Sequence, residues 1–199
     1  MSIIAIIPAK TNSRRLPNKN FLKLGNKKIF QYAVDCALKS KLIKKIILSS
    51  DSKDLEKYCK KKKIYFHLRS KKLCTSSATN FDVIKDIYKN FKFKIKIFVL
   101  LQPTQPFRRS YEIDKAIKLF KFSKYSSLIT VKKKTIGKKK IENTGHLYLL
   151  NIKKTLSIDS FFGNNICKML LPENWVDIDI DTLKDYNKAK KINAKYSYI

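Results

Sequence analysis

The stretch IIAIIPAKTNSRRLPNKN, residues 3–20, changes character at Pro8. Ile3 to Pro8 is short, apolar and β-branched, and a polar loop follows at once, which is the pattern of a buried strand running straight into a strand-end loop. Outward from it, Ile29, Ala33, Cys36 and Ala37 recur at helical spacing between Ile29 and Leu38, and Lys45 to Ser49 is again strand-like. The first 50 residues therefore predict a β-α-β unit. The alternation continues with a helix from Lys53 to about Lys62, a strand Ile64 to His67, a helix Asn80 to Phe91, an apolar strand Ile95 to Leu101, a helix Tyr111 to Phe122 and a strand Ser127 to Val131. Strands alternating with helices imply an α/β protein, a mainly parallel sheet with helices on both faces, and such sheets bind ligands beyond the carboxyl ends of their strands.

Past Val131 the signal weakens. Lys132 to Asn143 is basic and aperiodic, with a hinge expected near Gly137; Gly145 to Asn151 reads as a strand, Trp175 to Ile180 as a short extended run, and Thr182 to Ala194 as a terminal helix capped by Thr182. At 199 residues and 44% hydrophobic content, one domain over 1–199 is expected. No stretch approaches the ~18 apolar residues of a spanning helix. The start MSIIAIIPAK lacks the basic leader and cleavage site of a secretory signal, so a soluble, cytoplasmic protein is expected. Cys36, Cys59, Cys74 and Cys167 are too scattered for a metal cluster and are expected as buried free thiols.

The 45 Lys and Arg against 15 Asp and Glu give a formal charge of +30. Clusters such as Lys60 to Lys63, Lys132 to Lys134 and Lys138 to Lys140 are spread along the chain and form no single stripe, which argues for a lysine bias and against a dedicated nucleic-acid surface or a membrane partner. A polyanionic substrate would still gain from the field.

The loop PAKTNSRRLPNKN places four cations among small hydroxyl and amide side chains at a strand end, a composition suited to a triphosphate, although neither GxxxxGK[ST] nor GxGxxG is present. Its order resembles the signature of the acylneuraminate cytidylyltransferases, the CMP-sialic acid synthetase family. Lys10 stands for the usual Arg, which keeps charge and loses the bidentate fork, and Thr11 and Asn12 stand where many members have glycines. Further matches follow in order. Leu68-Arg69 and Thr75 to Asp82 fall on the base-recognition segment, with Ser76 in place of an aspartate and Asn80 in place of a serine; Leu101 to Arg108, LQPTQPFR, repeats a family loop with Gln105 in place of serine; and Ile178 to Thr182, IDIDT, repeats the metal motif.

The resemblance implies a Rossmann-like three-layer α/β/α fold of the nucleotide-diphospho-sugar transferase type and transfer of CMP from CTP to a nonulosonic, sialic-acid-like sugar with release of pyrophosphate. It implies Lys10, Arg14 and Lys19 as catalytic cations, Ser13, Asn20, Arg69, Asn80 and the backbone near Ala78 in nucleotide binding, and Gln102, Tyr148, Phe161 and Phe162 against the sugar. It also implies Mg²⁺ on Asp179 and Asp181, which alternation sets on one side of an extended segment, with Asp177 sharing their parity. No side chain is an evident general base, and His67 and His146 are expected to be structural. Members normally carry a longer insertion where this chain has 132–144, an arm that serves dimerisation and the sugar site, so a homodimer and the identity of the sugar are left open. Alternatives are a synthetase of the CMP-3-deoxy-octulosonate type, and a non-catalytic sugar-nucleotide or nucleic-acid binder.

Overall fold

The computed structural model describes residues 2–134, 140–172 and 175–196. Among the described residues, nine strands form a seven-stranded sheet and a two-stranded hairpin. The strands are β1 Ser2–Pro8, β2 Lys23–Leu24, β3 Lys27–Lys28, β4 Lys45–Ser50, β5 Tyr65–Leu68, β6 Ile95–Leu100, β7 Ser127–Lys134, β8 Lys140–Asn151 and β9 Ile166–Leu170. The helices are α1 Ile29–Lys39, α2 Leu55–Lys62, α3 Asn80–Asn90, α4 Ser110–Phe120, α5 Ile152–Leu156 and α6 Leu183–Tyr196. The large sheet runs β5-β4-β1-β6-β8-β7-β9. The pairs β5·β4, β4·β1, β1·β6 and β7·β9 are parallel, and only β8 runs against its neighbours β6 and β7. The expected mainly parallel α/β/α sandwich is what forms.

Strand β1 shows why. Its side chains alternate between two buried clusters: Ala5 and Ile7 join Phe30, Val34, Ile113 and Ile117 of α1 and α4, while Ile4 and Ile6 join Phe81, Ile84 and Ile87 of α3 and Ile152 of α5. A strand buried on both faces needs an unbroken apolar run, and at ~1.5–3 kcal/mol for each large aliphatic side chain it contributes heavily to the core. A third cluster, Leu16, Leu24, Ile29, Tyr32, Phe107, Ile178, Ile180 and Ala189, glues the strand-end loop and α6 to the sandwich.

The elements read from the sequence through Val131 are present with ends shifted by up to two residues, except that β7 runs three residues further, to Lys134. Beyond it three readings change. The basic stretch expected to be irregular is the outer part of an antiparallel ladder, Lys132 facing Glu142 and Lys134 facing Lys140. Its lysines hide the period of two, because neither face of this projection is apolar. The hinge expected at Gly137 lies outside the described residues. Strand β9, whose Cys167 and Met169 alternate inward, and helix α5 were not visible as periodic runs. Trp175 to Ile180 joins no sheet, although its alternation holds: Ile178 and Ile180 are buried, whereas Asp177 and Asp179 are exposed. Thr182 does cap α6, its hydroxyl accepting from the Asp185 amide while the Asp185 carboxylate accepts from the Thr182 amide. Cys36, Cys59 and Cys167 are buried, burial pushing the Cys36 thiol up to about 12, but Cys74 is only half-buried.

Candidate active site

The carboxyl ends of β1, β5 and β6 open into one cleft and each strand delivers a loop to it, while the loop after β4 supports the first of these through Asp51. The loop after β1 is held from below. The Thr11 amide and hydroxyl donate to the two oxygens of Asp51, at 2.8 and 2.5 Å, and the buried Asn20 amide donates to the Lys10 carbonyl at 2.9 Å. Burial alone would raise the Asp51 carboxyl, but these Thr11 bonds bring it below its ordinary value. With Leu16 packed into the third cluster, the backbone is fixed and the cations are left to face outward.

Lys10, Ser13, Arg15, Lys19 and Asn20 line a cavity of about 410 Å³ together with Arg69, Ala78, Thr79, Asn80, Gln102, Asp179 and Asp181. Arg14 sits one step aside, donating to the Ser76 hydroxyl at 2.6 Å and lining an adjoining cavity of about 420 Å³ that shares Lys10, Ser13, Arg15, Lys19 and Asp181. Arg15 was not singled out in the sequence, yet it pairs with one oxygen of Asp181 while Lys19 takes the other at 2.5 Å. Its signal was its place beside Arg14 in the basic pair.

Arg69 is 7% exposed. Its Nε donates to the Ser49 hydroxyl at 3.0 Å, Ser49 meets His67 Nδ1 at 2.8 Å, and His67 Nε2 meets Asp86 at 2.7 Å. The Asp86 carboxylate only accepts, so Nε2 carries a proton and donates to it, and in the neutral ring Nδ1 accepts from the Ser49 hydroxyl. Burial lowers the His67 pKa, against the pull of Asp86. The Arg69 Nη2 is buried without a protein partner at the edge of the cleft. At the N-terminus of α3, Thr79 is the cap, with its hydroxyl accepting from the Asp82 amide, and Asn80 is the first helical residue. The Ala78 amide is engaged by the Thr75 hydroxyl at 3.3 Å.

The loop after β6 is clamped by Arg108, also buried, whose Nε donates to the His146 carbonyl at 2.7 Å and Nη2 to the Gln102 carbonyl at 3.2 Å. Gln105, which replaces the expected serine, donates to the Thr144 carbonyl at 2.9 Å. Gln102 thereby faces the main cavity and a neighbouring recess of about 370 Å³ lined by Phe81, Leu100, Tyr148, Phe161 and Phe162. Phe161 stands edge-on to Tyr148 and to Phe162, with centroids 5.3 and 4.9 Å apart. Burial raises the Tyr148 phenol, so it stays neutral.

Asp179 and Asp181 reach the main cavity together, but Asp177 points elsewhere and pairs with Lys132 at 2.5 Å. Loss of solvation raises the Asp179 carboxyl and the Asp181 charge adds to this, with a Thr104 hydrogen bond opposing. Two neighbouring carboxylates, one already pushed toward its neutral form, suit a hard divalent cation. Among the described residues no group of three or more His, Cys, Asp and Glu could cage an ion. The donor set fits Mg²⁺, which takes one or two carboxylates and completes its shell with water and substrate phosphates.

The profile of the cytidylyltransferase family matches residues 4–157. The chain belongs to this family. An N-acylneuraminate cytidylyltransferase from Escherichia coli O18:K1:H7 is 38% identical over 133 residues, 65% of this chain and 31% of that protein. The chain thus spans about a third of the length of the first curated relatives it matches. The CMP-N,N'-diacetyllegionaminic acid synthase of Legionella pneumophila is 28% identical over 96% of both proteins. That alignment runs over 225 positions, more than the 199 residues available here, so the relative carries residues without a counterpart in this chain. Among solved structures, a CMP:2-keto-3-deoxy-manno-octonic acid synthetase complexed with CTP superposes with a TM-score of 0.76 over 98% of this chain and 99% of that one, at 12% identity, a likeness of fold. No helix among the described residues is long and apolar enough to cross a membrane.

Proposed function

We propose that this cytidylyltransferase transfers CMP from CTP to a nonulosonic acid. One observation carries the reading: a single cleft joins a cationic wall, a buried arginine with an open donor and a pair of carboxylates to an aromatic recess, and Gln102 faces both parts. CTP fits the polar part, with its base toward Arg69 and Asn80 and its phosphates along Lys10, Ser13, Arg14 and Lys19. The sugar fits beyond Gln102, where an N-acyl group can lie among Tyr148, Phe161 and Phe162. That recess favours an acylated sugar such as a sialic, legionaminic or pseudaminic acid over an octulosonate, which has no acyl group to fill it.

The anomeric hydroxyl attacks the α-phosphorus; the new bond is O–P, the bond to the β-phosphate breaks, pyrophosphate leaves and the hydroxyl proton passes to solvent. Such chemistry is chiefly positioning and charge neutralisation. Lys10, Arg14 and Lys19 offset charge on the α-phosphate and the leaving group. Asp179 and Asp181 hold Mg²⁺, which when bound neutralises phosphate oxygens and makes the attacking hydroxyl more acidic.

The test is the double variant Asp179→Asn, Asp181→Asn, incubated with CTP, Mg²⁺ and a panel of nonulosonic acids. Pyrophosphate release should vanish while the circular dichroism spectrum is kept; full activity in a folded double variant would remove the metal role.

A further inference from the structure

The segment carrying Asp179 and Asp181 is fixed at its trailing end by several bonds. The Ile180 amide donates to the Thr104 carbonyl at 2.9 Å, and the Asp185 carboxylate accepts from the amides of Asp181 and Thr182 at 3.2 and 2.8 Å. Ahead of Ile178 it has no sheet partner, and its inner contact is a tight turn from the Ile178 amide to the Val176 carbonyl.

The leading end is held by side chains: Asp177 pairs with Lys132, Val176 packs against the third cluster, and Trp175 reaches back to β8. Trp175 Nε1 donates to His146 Nδ1 at 3.0 Å, and the two rings stand nearly perpendicular with centroids 5.4 Å apart. Because Nδ1 accepts, the proton of a neutral His146 is on Nε2, which donates to Glu112 at 2.9 Å. The same carboxylate oxygen, Oε2, also accepts from the Arg109 amide at 2.9 Å, which makes Glu112 part of the α4 N-terminus. His146 is 1% exposed and Glu112 5%. The chain α4–Glu112–His146–Trp175 therefore runs from a rigid helix end, through the sheet, to the residue two positions before Asp177.

We infer that His146 is a positioning residue: with Glu112 fixing its tautomer, it holds Trp175 and thereby sets where Asp179 enters the cleft. This rests on the reading of Asp179 and Asp181 as the cation-holding pair. Partners that orient ligands without touching the ion commonly matter to binding almost as much as the ligands do. His146 and Trp175 line none of the cavities of the cleft, so their effect must be transmitted through the backbone of 176–179.

The experiment compares the full chain with His146→Leu, which removes both hydrogen bonds, Trp175→Phe, which removes only the indole donor, and His146→Gln, whose amide can donate to Glu112 and accept from Trp175. Trp175 is the chain's one tryptophan, so its emission reports directly on this site. Amide exchange at 177–179 should accelerate about 10-fold or more in His146→Leu and Trp175→Phe, leave α3 unchanged, and return close to wild type in His146→Gln. Manganese affinity, read by electron paramagnetic resonance, should fall about 10-fold in the same two variants. Metal-free CTP affinity should stay within about two-fold, because the cations of the wall are carried by the loop after β1 and not by 177–179. Unchanged exchange in a folded Trp175→Phe, or no recovery in His146→Gln, would overturn the positioning role. If exchange responds as stated but the wild-type chain binds no manganese, the positioning role stands and the assignment of the carboxylate pair falls.

Discussion

Two carboxylate–histidine pairs stand behind the cleft, and they end differently. At the β4–β5 side, Asp86, His67 and Ser49 lead to Arg69, so the relay ends on a buried guanidinium that lines the cleft and whose outer nitrogen has no protein partner. At the β8 side, Glu112 and His146 lead to Trp175, so the relay ends on a half-buried indole at the head of a segment without sheet bonds. The first aims a side chain that can touch a ligand; the second places a stretch of backbone. Both histidines use the same protonation pattern, Nδ1 accepting and Nε2–H donating, and both depend on being neutral.

The difference predicts unequal losses when each relay is cut. The largest should come from Arg69→Met, which removes the ligand-facing group and leaves no buried charge behind. A hydrogen bond to a charged group is worth about 1.5–3 kcal/mol, so CTP affinity by calorimetry should fall roughly 100-fold. A loss under about three-fold would detach Arg69 from the nucleotide. Ser49→Ala keeps the guanidinium but frees its Nε and the His67 Nδ1 from their shared partner. The expected loss is smaller, about 10-fold in CTP affinity, with Asp179 and Asp181 unaffected and manganese binding unchanged. A parallel fall in manganese binding would show that the two relays are not separate.

The same contrast explains what could be read from the sequence. The β1 and β6 ends were legible because a strand buried on both faces writes an unbroken apolar run, and the loops after them carry motifs of distinctive order. Gln102, Lys10, Ser13, Lys19, Asn20 and Arg69 fall together in one cavity from positions up to 92 residues apart in the chain. The Trp175–His146–Glu112 chain was not legible, since its members come from three elements and each residue alone is an ordinary core or surface side chain. Strand β9 was hidden for another reason: five residues with two facing inward give too little period to detect. The basic projection of β7 and β8 escaped because its ladder is held by backbone bonds, and backbone bonds leave no mark in composition.

The smallest effect is in stability, and it can be assigned fully because the chain has two histidines and both are in the relays. Burial lowers each below the ordinary 6.5, the nearby carboxylate opposing in both cases and Arg69 or Arg108 adding to the depression. A histidine held neutral in the fold takes up fewer protons than it does in the unfolded chain as pH falls through 6.5. Its contribution is therefore complete above that value and is lost on the acid side, down to the folded pKa. Between pH 7 and 6 an unfolded histidine binds on average about half a proton, so each pair should cost at most about 0.7 kcal/mol of unfolding free energy over that unit. Glu112, lowered by the His146 hydrogen bond and Arg108 despite its burial, acts in the same direction at lower pH, below the ordinary 4.5. Urea unfolding at the two pH values should show the wild type losing about twice what His67→Gln or His146→Gln loses, because each variant keeps one titrating histidine. If His67→Gln halves the loss and His146→Gln does not, the Trp175 bond fails to hold His146 neutral, and the two relays differ in protonation as well as in what they aim.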